Sequence, residues 1–133
     1  MSVTQLQEVS NGMESDEILR LMALWDSMSK DLMVDKLNMV FDYDFPKAGR
    51  NKRGGFYPML SYITQSSAFA TESWTNKGRK DVRCPFPKWC QICSVFGLPL
   101  EGMCTEDNDW FTDEVKENVH KVVIRLKEEM DND

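Results

Sequence analysis

All four cysteines of this 133-residue chain lie between Arg83 and Cys104, in the pattern C-x5-C-x2-C-x10-C formed by Cys84, Cys90, Cys93 and Cys104. Four thiolates can hold zinc in a closed tetrahedral site once they lose their protons. The Cys90–Cys93 pair has ligand spacing, and Cys84 and Cys104 stand on either side to complete the set. The pattern is not the doubled C-x2-C of ribbons and fingers. Ile92 and Phe96 also surround the thiols with apolar neighbours, which suits buried structural cysteine. The spacing therefore leaves two readings: inert core thiols, or a zinc site on Cys84, Cys90, Cys93 and Cys104.

Other chemistry has thinner support. Trp89-Cys90-Gln91-Ile92-Cys93 resembles the Trp-Cys-x-x-Cys run of thioredoxin-like proteins. That chemistry needs a strand–helix–strand setting, which the chain does not suggest. The single histidine, His120, falls beside the Val119, Val122 and Val123 stripe of a charged amphipathic segment, where a boundary position is expected rather than catalysis. A Cys–His pair with Cys90 or Cys93 has nothing in the sequence to orient it. Asp42-Tyr43-Asp44 on an extended segment would place both carboxylates on one exposed side, as a solvated turn. The acidic run Thr105 to Asp109 lacks the order of a calcium loop, and the glycines of residues 46–55 do not match a phosphate-cradling loop. The chain reads as non-enzymatic.

Charge is the stronger signal. The net charge of −6 conceals a basic centre: residues 46–88 carry nine basic and two acidic side chains, between segments rich in carboxylates. Two turns, PKAGRNKRGG and Asn76 to Lys80, hold most of these cations and flank Phe56, Tyr57, Tyr62, Phe69 and Trp74. Cations for phosphates and rings for bases are the chemistry of single-strand recognition. The expected contacts are Arg50, Lys52, Arg53, Tyr57, Lys77, Arg79, Lys80 and Arg83. Local field governs binding more than total charge does.

These residues need a scaffold, and the apolar spacing supplies one. Ser15 caps a helical pattern that runs from about 16 to 41, as one helix or two in sequence, with Ile18, Leu21, Trp25, Met28 and Leu32 on one face. Met22, Met28, Met33 and Met39 in this stretch suit a core, or a Met-rich groove for a partner. Residues 56–74 allow a helix interrupted at Ser66 and Ser67. Pro87 opens, and Gly97-Leu98-Pro99 closes, a helix bearing Cys90 and Cys93. Thr112 caps a final helix over 113–130, with Val115, Val119, Val122, Leu126 and Met130 along one stripe.

The expected fold class is mostly α: a mobile tail over 1–14, then one compact domain of four to five helices over 15–133. Within it lie the basic centre (46–88), the Cys-rich segment (83–104) and the acidic terminal helix. The apolar fraction of 41% suits a soluble globular chain, and no apolar run reaches membrane-spanning length. No secretory leader or lipid-anchor motif is read, so an intracellular setting, cytoplasmic or nuclear, is expected. The functional expectation is a small regulatory or accessory protein that binds single-stranded RNA or DNA. The alternative is a protein–protein adaptor using its acidic and Met-rich faces. Membrane binding and a small-molecule substrate are not expected.

Overall fold

The computed structural model describes residues 15–46, 50 and 54–132. The expected tail over 1–14 and the expected contacts Lys52 and Arg53 lie outside the described residues. Seven helices and no strand are present among the described residues: α1 Ser15–Ser27, α2 Lys30–Phe41, α3 Phe56–Thr64, α4 Ala68–Trp74, α5 Phe86–Phe96, α6 Leu100–Cys104 and α7 Asp113–Asp131.

The helix count exceeds the expectation because serines cut two of the expected stretches. Ser29 Oγ accepts from Leu32 N at 3.1 Å and starts α2 after a break at Met28. Ser67 Oγ likewise accepts from Ala70 N at 3.0 Å and starts α4. Just before it, Gln65 ends α3 in the left-handed region with φ 54°. That region costs a residue with a Cβ about 1–2 kcal/mol. α6 is a further helical turn in a stretch that the Pro and Gly content marked as a turn. α5 ends as its residues dictate: Gly97 adopts φ +67°, and Leu98 N returns to Cys93 O at 2.8 Å.

One apolar core joins α2, α3, α5 and α7. Phe41 is its hinge point, with Phe56 at 5.0 Å and Phe96 edge-on at 4.8 Å. Trp89, Ile92, Leu60 and Met103 fill the space around these rings, and Val119, Val123 and Leu126 close it from α7. α1 packs on α6 and carries a smaller cluster of Leu21, Phe86 and Cys90. Of the four methionines in α1 and α2, Met28 and Met33 are buried in the core and Met22 and Met39 are half-buried.

Candidate functional site

Burial decides the chemistry of the cysteines. All four are free, buried thiols. Loss of hydration pushes Cys84 and Cys93 well above the ordinary thiol value, and pushes Cys90 up to about 12. Cys104 rises to about 11, because burial outweighs the downward pull of the Trp89 indole N–H and the Lys36 ammonium. Thiols held this way stay protonated and are poor nucleophiles at neutral pH. Among the described residues, no group of three His, Cys, Asp or Glu side chains is arranged to hold a metal ion.

The expected phosphate contacts divide sharply. Arg50 is only 7% exposed and points inward: Nε donates to Phe45 O at 3.0 Å, Nη1 to Asn38 Oδ1 at 2.9 Å, and Nη2 to Asp42 Oδ1 at 2.5 Å. Its guanidinium also lies 5.2 Å from the Phe56 ring centroid. The expectation that Arg50 meets phosphate is corrected by this geometry, since every face of the side chain is occupied from within. Tyr57 is half-buried with its hydroxyl 3.2 Å from Thr75 Oγ1. Lys77 pairs with Asp35 at 2.8 Å. Arg50, Tyr57 and Lys77 do line one depression beside α2, so the two basic turns meet there, but Asp35 and Asp42 neutralise it. Arg83 stacks 4.5 Å above the Trp25 ring and donates to the Trp25 and Asp26 carbonyls, capping the end of α1.

Arg79 and Lys80 have a different setting. Phe69, in the first turn of α4, is 65% exposed, and the Arg79 guanidinium lies 5.0 Å from its ring centroid. The turn that positions Arg79 is fixed by Asn76, whose Oδ1 accepts from Gly78 N at 2.9 Å and whose carbonyl accepts from Arg79 N at 3.0 Å. In the turn before α4, Lys88 Nζ donates to Ser66 Oγ at 2.5 Å. Lys88 on α5 is thus tied to Ser66 in the turn before α4, Arg79 is set against Phe69 in the first turn of α4, and Lys80, next to Arg79 in the chain, is exposed. Among the described residues no carboxylate pairs with Arg79, Lys80 or Lys88. Phe69 was named among the rings of the basic segment but not among the expected contacts, and Lys88 was not singled out because nothing near it in the chain marks it.

A second concavity lies between α2 and α7, about 540 Å³ in volume, walled by Met39, Val40, Tyr43 and Phe111. At one end His120 Nδ1 stands 2.5 Å from Asp44 Oδ1, and the Asp44 side chain is only 7% exposed. Asp42 and Asp44 therefore do not share a solvated face. The chain after α2 curls into a turn instead of extending, so Asp42 meets Arg50 and Asp44 meets His120. Tyr43 between them is 85% exposed, with its ring edge-on to His120 at 5.8 Å. Spacing could not reveal the Asp44–His120 contact, because the partners are 76 positions apart.

No protein-family model matches the chain, and no curated protein or solved structure is significantly similar to it.

Proposed function

We propose that the chain is a small binding protein for single-stranded nucleic acid, engaged at the corner formed by Phe69, Arg79, Lys80 and Lys88. The observation that carries the reading is the exposed Phe69 ring with the Arg79 guanidinium against it. An exposed ring beside a cation gives a base a surface to stack on and a phosphate a counter-charge. The corner lies inside the one segment where cations outnumber carboxylates, nine to two. Glu72 and Asp81 are those two carboxylates, and both are exposed to solvent. The site is smaller than the sequence suggested, because Arg50, Lys77 and Arg83 are engaged within the fold.

Fluorescence anisotropy with a labelled oligo-uridine and an oligo-thymidine tests this. Affinity should fall steeply between about 50 and about 200 mM salt, with a log–log slope near −2 for three phosphate contacts, since each contributes roughly −0.7 on a single strand. Phe69→Ala should cost about 1–3 kcal/mol of binding with the slope unchanged. Arg79→Ala and Lys80→Ala should each flatten the slope. Absence of binding at the lower salt, or equal affinity in Phe69→Ala and the parent, overturns the reading.

A further inference from the structure

The groove between α2 and α7 lies apart from the residues proposed to bind nucleic acid, and its chemistry differs. It is lined by residues of the two acidic segments of the chain, 39–44 just before the basic centre and 111–120 well after it. Its floor is apolar (Met39 and Val40), and two of its walls are the rings of Tyr43 and Phe111. Carboxylates of Asp42 and Glu117 stand in its lining, both more than half exposed, with the sheltered Asp44 carboxylate at the His120 end. An aromatic wall with carboxylates around it attracts a cation through the ring quadrupole and through charge together.

The chain shows this preference itself. Lys116, which also lines the groove, lays its ammonium over the Phe111 ring at 5.3 Å, while its nearest carboxylate, Asp113, is 3.8 Å away. The ring is thus already occupied by an ammonium on an exposed side chain. Tyr43, by contrast, presents an 85% exposed ring whose one ring contact among the described residues is the edge contact to His120.

We propose that this groove is a binding site for a small organic cation: an amine or quaternary ammonium attached to an apolar body. The apolar part would rest on Met39 and Val40. The cation would sit against Tyr43, facing Asp42 and Glu117. The volume is that of a small-ligand site, about 300–1,000 Å³ in general. Each carboxylate already has a partner within the chain. However, the Glu117–Lys121 pair is an exposed helix pair at 3.3 Å, which gives way at little cost, and Asp42 keeps its second oxygen free of Arg50.

The test uses the full chain and octyltrimethylammonium as the probe, followed by calorimetry and by NMR shifts of the Met39 methyl and the Tyr43 ring. Octanol and octanoate, of similar apolar length, serve as neutral and anionic comparators. The cation should bind at least about tenfold more tightly than either, with shifts confined to the groove. Tyr43→Ala should weaken it about three- to tenfold. Glu117→Gln should weaken it as well, and Lys116→Gln should strengthen it by removing the resident ammonium. Both side chains are exposed, so these variants should fold as the parent does. Three outcomes overturn the proposal: equal binding of all three probes, unaltered affinity in Tyr43→Ala, or shifts outside the groove. A short lysine peptide that outcompetes the alkylammonium overturns the assignment to a small ligand. Arg79→Ala, which should weaken nucleic-acid binding, should leave every one of these readings unchanged.

Discussion

Arg50 shows how far a side chain's role departs from its composition. In the sequence it belongs to a glycine-rich basic turn, yet in the fold it ties that turn to α2 through three acceptors and a ring. Arg50→Ala would leave Asn38 and the half-exposed Asp42 without their partner and should cost about 1–3 kcal/mol in urea unfolding. Arg50→Lys should recover little of that, because an ammonium cannot reproduce the planar fork. Lys30 and Lys36 repeat the lesson. Lys30 Nζ donates to the Ser73 carbonyl at 2.7 Å and also to Val82 O, and Lys36 Nζ donates to Asp107 O at 2.7 Å and Asn108 Oδ1 at 2.6 Å. Burial lowers both ammonium pKa values, and the carbonyls offset part of that cost. The thiols belong at this scale too. All four should react with a disulfide reagent far more slowly in the native protein than in denaturant, and dialysis against a chelator should leave the melting temperature unchanged. A chelator-induced fall in melting temperature would instead point to a metal on the thiols.

At the scale of elements, the cap at Thr112 and the break at Ser66 and Ser67 were readable, whereas the cap at Ser29 was not. Ser29, Ser67 and Thr112 all accept from the backbone N–H three residues on, and replacing Thr112 by Ala should cost about 1 kcal/mol by removing its bond to Val115 N. The helix stop at Gly97 and the α7 stripe were equally legible, because each depends on neighbours within a turn or two. Gly102 was not legible in the same way. A Cβ there would meet Trp110 Nε1 at 2.4 Å, and that indole is held by Asp107 O at 2.7 Å. Gly102→Ala should therefore push Trp110 out and cost about 1–3 kcal/mol, measurable as a lower melting temperature with altered tryptophan fluorescence. The pairing of α6 with the 107–110 loop creates this demand, and nothing near Gly102 in the chain announces it.

For the whole molecule, the balance of buried titratable groups sets its response to alkali. In the unfolded chain the thiols lose protons near 9, whereas the fold keeps Cys104 protonated to about 11 and Cys90 to about 12, and raises Cys84 and Cys93 as well. Above pH 9 the unfolded chain therefore holds fewer protons than the native one. The thiol contribution to stability is complete below that pH and declines above it, by about 1.4 kcal/mol per pH unit for each thiol. Lys30 and Lys36 act in the opposite sense: their lowered values mean the unfolded chain keeps those protons longer, so rising pH up to 10.5 favours the fold. Four deeply buried thiols outweigh two ammoniums that keep their hydrogen bonds. Urea midpoints should drop between about pH 8 and about pH 10; a rise would show the lysines in command. The helical class, the α5 and α7 boundaries and the basic centre were all determined by the sequence alone. They follow from the 3.6-residue period, from capping chemistry and from charge counts, which operate over a few residues. Tertiary structure alone decided which cations remain available, that Phe69 is left exposed, and that His120 meets Asp44. Those outcomes depend on which surfaces α2 covers and on partners as far as 76 positions apart, and no local pattern encodes such a meeting.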